Sequence, residues 1–315
     1  MRLPELTIGH LKPTHPIVQG GMAVRVSTAP LAAAVANAGG IGVIAATAMG
    51  SDELGREIRE AKSLSPGIIG INIMFAVKEF ASQVYKALEE KIDVIFTGAG
   101  FSRDIFGWGQ EAGVPIVSIV SSGKLAAIAE KCGAAAVVAE GFEAGGHLGT
   151  TRSLSDILPE IRKSVKIPVI AAGGIVDGFG AAKMFKMGAD AVQMATRFVL
   201  STECTVADAF KKRYLKAEHE DVVVIESPVG MQGRALRNEF VDLLLKNEQP
   251  RPVGCYDCLK ICSGKYCIME ALENSRTGEV DKGLIFCGQN VDQIKEILPV
   301  KEIFRRILAE VASVK

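Results

Sequence analysis

His147 closes the stretch Glu140-Gly141-Phe142-Glu143-Ala144-Gly145-Gly146-His147, which sets two carboxylates and an imidazole in a glycine-rich run. An imidazole titrates near neutral pH, so it can accept a substrate C–H proton or, once protonated, donate to a developing anion. Gly145 and Gly146 remove side chains immediately before the ring. A lone histidine is more often structural, and only its place in the fold can reverse that expectation; His10, His15 and His219 have no comparable setting. A second grouping is Cys255-x₂-Cys258-x₃-Cys262-x₄-Cys267. Four thiolates this close suit zinc or an iron–sulfur cluster. The spacing repeats neither a CxxC…CxxC pair nor a ferredoxin run, and reduced cysteines packed under a lid are the alternative.

Eight short apolar runs supply the elements that must position these groups. They cover residues 16–20, 41–45, 68–74, 92–98, 115–120, 134–140, 168–174 and 191–194. Their starts fall about 19 to 34 residues apart, room for a strand, a loop, a three-turn helix and a return. Near-continuous apolar runs of this kind fit parallel strands buried on both faces, and eight such units close a (β/α)₈ TIM barrel. A doubly wound sheet would leave two or three units over. Ser51-Asp52-Glu53 and Ser153-Leu154-Ser155-Asp156 offer helix N-caps, while Gly39-Gly40 and Gly188 offer stops.

The chemistry then falls at one end of the barrel. The longest interval holds the His147 loop, and βα loops lie at the mouth where barrel active sites form. Position there favours a catalytic His147. Strands seven and eight run into Ala171-Ala172-Gly173-Gly174 and Gln193-Met194-Ala195-Thr196. Small residues at those two turns let backbone N–H groups approach a phosphate. Strand one ends in Gln19-Gly20-Gly21-Met22, where a flat ring could lie on the backbone, and Asn72 ends strand three with a donor and an acceptor for its polar edge. Neither GxGxxG after an early strand nor GxxxxGK[ST] occurs, so FMN fits better than a dinucleotide or a P-loop nucleotide.

After about residue 203 the rhythm breaks. A helical stretch over 205–219, the run Val222-Val223-Val224-Ile225, turns through Pro252, the cysteine cluster and a final helical pattern read as a lid. The expected organisation is a barrel over 1–203 with a C-terminal helical, cysteine-rich lid extension over 204–315 packed on it.

Composition narrows the partners. Of 315 residues, 48% are hydrophobic and 6% aromatic, with 33 glycines, which favours an Ala/Val/Ile core in α/β layers. Lys+Arg and Asp+Glu both total 36 with no basic stripe, an argument against nucleic acid. No run supplies the ~18 apolar residues of a membrane span, nor an apolar leader, so a soluble cytoplasmic protein is expected. A homodimer is compatible with the sequence.

On Pro16 through Met22, Gly70-Ile71-Asn72-Ile73-Met74, Glu140 through Gly149, Ala171 through Gly174 and Thr196-Arg197-Phe198, the chain resembles the flavin-dependent nitronate monooxygenases, formerly 2-nitropropane dioxygenases, and the related flavin-type enoyl-ACP reductases. The resemblance spans nearly the whole chain. It implies an FMN barrel in which Gly173, Gly174 and Thr196 hold the phosphate, and Gly21, Met22 and Asn72 the ring region. Gly20, Glu140, Gly145, Gly146, Ala172, Gln193, Met194 and Ala195 complete the expected cofactor site. His147 would deprotonate a nitroalkane, the nitronate then being oxidised with O₂ and no nicotinamide. In the reductase alternative, NAD(P)H is the electron donor and an enoyl thioester the acceptor. Tyr266-Cys267-Ile268 and Gly283 through Gln289 resemble the reductase branch, whereas the cysteine cluster departs from familiar members of both.

Overall fold

The computed structural model describes residues 1–250, 252 and 254–315. Eight strands pair in parallel: β1 (Ile17–Gln19), β2 (Ile41–Ala45), β3 (Ile68–Met74), β4 (Val94–Gly98), β5 (Ile116–Val120), β6 (Ala136–Glu140), β8 (Val169–Ala172) and β9 (Ala191–Met194). They close in that order, with Ile17 opposite Val192 sealing the ring. Each run is apolar in both registers because each strand is buried on both faces. Val18, Val43, Val94, Phe96, Val117, Val138 and Ile170 form one packed cluster, and Leu6 and Ile8 from the N-terminal segment join it. The intervening residues, among them Ile44, Ile69, Ile95 and Val169, pack outward against helices.

Six helices follow strands of the ring in the usual alternation: α1 (Ala29–Asn37), α2 (Ser51–Leu64), α3 (Phe80–Glu89), α4 (Asp104–Ala112), α5 (Gly123–Lys131) and α6 (Leu154–Ser164). A seventh, α7 (Gly178–Lys186), precedes β9. Leu54, Ile58 and Ala61 on α2 recur at helical spacing and are fully buried, which is why an otherwise polar segment docks as a helix. Ser153 caps α6 by accepting from the Asp156 N–H. Ser51 does not cap α2: it is the first helical residue, Gly50 holds the cap position, and Asp52 and Glu53 oppose the helix dipole instead.

Beyond β9 come α8 (Thr196–Val199), α9 (Asp208–Lys216), α10 (Glu239–Lys246), α11 (Ile268–Thr277) and α12 (Val300–Ser313). Val300, Ile303, Phe304, Ile307 and Val311 bury one stripe of α12, which lies against α7 and α1. The barrel's eighth outer place is thus filled from the end of the chain. Two strands beyond the ring complete the architecture, β10 (Val222–Glu226) and β11 (Gln232–Leu236). With β7 (Gly146–Leu148), they form an antiparallel sheet of order β10-β11-β7, so the glycine-rich loop after β6 is partly a strand.

Candidate active site

Side chains at alternate positions of a barrel strand share one face, so an inward residue at a strand's C-terminal end looks into the mouth. Asn72 follows Gly70 on that face of β3, Glu140 follows Val138 on β6, and Gln193 follows Ala191 on β9. These three, with Gly20, Gly21, Met22, Gly145, Gly146, His147, Ala195 and Thr196, line a cavity of about 430 Å³. A smaller recess of about 50 Å³ adjoins it, shared through Glu140, Gly145, Gln193, Ala195 and Thr196 and completed by Ala172, Gly173, Gly174 and Met194. Every residue expected at the cofactor therefore borders one of these two contiguous spaces.

The recess suits a phosphate. Gly173 and Gly174 have φ of +119° and +68°, and a Cβ on Gly174 would stand 3.0 Å from the Glu143 side chain. Among the described residues, the N–H groups of Gly173, Gly174, Ala195 and Thr196 are not donated to protein acceptors. They remain for an anion. The Thr196 hydroxyl is turned to the other wall, accepting from the Gly288 N–H at 2.8 Å. On the ring side, a Cβ on Gly21 would fall 2.4 Å from that of Asn72, so only glycine keeps this floor flat. These features fit FMN.

His147 sits in the centre of β7, opposite Gly233 of β11. Its Nε2 lies 2.8 Å from the Ser227 hydroxyl, and Phe286 meets its ring edge-on at 5.3 Å between centroids. Burial lowers its pKa to about 4, so the imidazole is neutral at pH 7. Glu140 is moved the other way, up to about 7, because its carboxylate is desolvated deep in the mouth with no cation beside it. Glu143 takes no part in the cavity: its carboxylate accepts from the Leu154 N–H at 2.8 Å, at the start of α6.

Arg234, which sequence reasoning missed, fixes the loop between Glu140 and His147. Its guanidinium donates to Ala144 O at 3.1 Å and Phe142 O at 2.7 Å, and lies 4.5 Å from the Phe142 ring centroid. Ser227 and Phe286 were missed too. None carries a motif; only the pairing of β7 with a strand some 85 residues later brings them to the site.

The zinc or iron–sulfur site expected at Cys255, Cys258, Cys262 and Cys267 is not formed. Among the described residues no group of three or more His, Cys, Asp or Glu is gathered to hold a metal ion. All four thiols are free, Cys255 and Cys262 exposed, Cys258 and Cys267 half-buried. Tertiary bonding sets this path: the Lys78 N–H donates to Cys258 O, the Lys260 N–H to Ala76 O, and Cys267 is the N-cap residue just before α11. The segment instead becomes a cavity wall through Leu259 and Ile268. No helix among the described residues is long and apolar enough to cross a membrane.

Comparison with known proteins agrees with this geometry. The family profile described as nitronate monooxygenase matches residues 5–310. A hydroxy-methyl-oxo-octahydroindene-carboxyl-CoA dehydrogenase of Mycobacterium tuberculosis is 36% identical over 240 residues, 75% of this chain and 67% of that protein. Among solved structures, FabK from Thermotoga maritima superposes with a TM-score of 0.86 at 36% identity, covering 95% of this chain and 93% of its own. Nitroalkane oxidase from Streptomyces ansochromogenes gives 0.82 at 25% identity, over 95% and 96%. With the closed barrel and a profile match over nearly its full length, this chain belongs to the nitronate monooxygenase family, a family of flavin oxidoreductases.

Proposed function

We propose that the chain is an FMN-dependent oxidoreductase that oxidises nitroalkanes or their nitronates with O₂, His147 serving as general base. The observation that carries this reading is a neutral imidazole in a largely apolar cavity, beside a recess of unpaired backbone N–H groups. Gly173, Gly174, Ala195 and Thr196 would hold the FMN phosphate, and Gly20, Gly21, Met22, Asn72 and Gln193 would surround the ring. The bound flavin supplies the two-electron acceptor. The protein's own part is to admit the substrate against apolar walls, to exclude water, and to receive the proton that leaves the carbon bearing the nitro group. An uncharged base is suited to that task because it needs no prior deprotonation. Oxygen uptake with short nitroalkanes and preformed nitronates is the direct test; the absence of uptake with every one of them would sink the assignment.

One observation favours a second reading, reduction of an enoyl thioester by NADH. The Mycobacterium relative acts on a carboxyl-CoA, and both it and FabK stand at 36% identity against 25% for the nitroalkane oxidase. Met22, Met74, Leu259, Met269 and Leu272 also give the cavity a wall that suits a hydrocarbon chain. Anaerobic NADH should then bleach the flavin and an enoyl thioester restore its colour, whereas an enzyme of the first kind stays yellow with NADH.

A further inference from the structure

Part of the cavity wall comes from beyond the barrel. On α9, Phe210 and Tyr214 stand one turn apart on one face; on α11, Ile268, Leu272 and Ser275 recur at helical spacing, and Leu284 follows that helix. All six are buried side chains that nevertheless border open space. The two hydroxyls among them are already committed, Tyr214 donating to Phe286 O and Ser275 to Leu284 O at 2.6 Å. With those protons spent, the six side chains offer a ligand no hydrogen-bond donor, and what they present is carbon.

The charge of the cavity is equally one-sided. Among the described residues that border it, Glu140 is the only carboxylate and His147 the only histidine, and neither Lys nor Arg takes part. Burial moves both groups towards their uncharged forms, the carboxyl up and the imidazole down. A small anion that enters leaves water without meeting a cation, the situation that keeps unpaired charges out of protein interiors. We propose that the site takes its substrate uncharged, as the neutral nitroalkane rather than the preformed nitronate, with an unbranched hydrocarbon tail seated between α9 and α11.

Proton transfer then takes place inside. The C–H bond beside the nitro group breaks, the proton forms an N–H bond on the imidazole, and the electron pair stays on the carbon and its nitro group. Imidazolium and nitronate arise together, so the net charge within the cavity does not change. A nitronate arriving from solution would instead add an unbalanced negative charge to the space that holds Glu140, and it would leave His147 with no proton to take.

This inference rests on the reading of the cavity as the place where substrate meets the flavin, and its first test needs no turnover. Straight-chain alcohols from ethanol to octanol, and the carboxylates of equal length from acetate to octanoate, are titrated into the flavin-loaded protein at neutral pH and read from the flavin's visible absorbance. Each added methylene should tighten alcohol binding about threefold to fourfold, the transfer gain of one buried CH₂. Each carboxylate should bind at least about tenfold more weakly than the alcohol of its length. Leu272→Trp, which fills the space between the helices, should end the gain at a shorter chain, and Leu272→Ala should extend it. Carboxylates that bind as tightly as the alcohols, an affinity that does not grow with length, or one length profile shared by the wild type and both variants overturns the inference. Freshly dissolved 1-nitrooctane should also support oxygen uptake without a lag; uptake that begins only as its nitronate accumulates in solution overturns it as well. No uptake with either form, alongside the expected alcohol series, removes the nitroalkane assignment and leaves the uncharged, long-tailed substrate standing.

Discussion

His147 and Glu140 share one cavity with their titrations displaced in opposite senses, to about 4 and about 7. The buried imidazole contributes stability that is complete above pH 6.5 and is lost as pH falls towards 4. The buried carboxyl contributes stability that is complete below pH 4.5 and is lost as pH rises towards 7. Glu140→Gln removes only the second slope. The variant should therefore exceed the wild type by roughly 3 kcal/mol at pH 8 and match it near pH 4, read from denaturant midpoints; an equal gain at both pH values would contradict the assigned cause. His147→Ala should leave flavin content unchanged and lower turnover by about two to four orders of magnitude. Wild-type turnover in that variant would end its role as base.

Among the elements, the short strand β7 has the largest effect on the site. Three residues with no apolar alternation are held in place by β11 on one side and by Arg234, itself on β11, reaching beneath the preceding loop. Arg234→Ala would leave the carbonyls of Phe142 and Ala144 without their donor. Loss of about 2 to 4 kcal/mol and a weaker hold on the flavin are expected, measurable by melting and by fluorescence titration of free flavin. Unchanged flavin affinity would show that the loop keeps its shape unaided. The phosphate recess belongs to the turns after β8 and β9. Gly173→Asp should expel the flavin by setting a like charge against its phosphate and by straining a backbone at φ +119°. A variant that purifies yellow would refute this placement.

For the whole molecule, closure depends on a segment far along the chain. Phe304, 3% exposed, packs on Phe198 and His15 from α12, which lies against both α1 and α7. Phe304→Ala should cost about 3 to 5 kcal/mol, seen as a lower denaturation midpoint; a shift under about 1 kcal/mol would mean that the ring closes without this helix. The barrel was legible in the sequence because parallel strands buried on both faces leave uninterrupted apolar runs, and Asn72 was legible as a cavity-lining residue because it lies near the end of its strand. The sheet that carries His147 was not. Gly146-His147-Leu148 has no strand signature, and Ser227, Arg234 and Phe286 are ordinary residue types whose meaning arises only from long-range pairing. The cysteine spacing was plain, but spacing alone does not converge thiols when the backbone between them is bound to the loop after β3.

The pairing of β7 with β11 also orders events during synthesis. A ribosome completes the last barrel strand at Met194, while the partner of His147 emerges only from Gln232 onward and Phe286 later still. Until then the strand that carries the imidazole has no partner to pair with. Chains released between those two points would carry all eight barrel strands and an unplaced histidine, so the surroundings of His147 are completed late, first by β11 and then by Phe286.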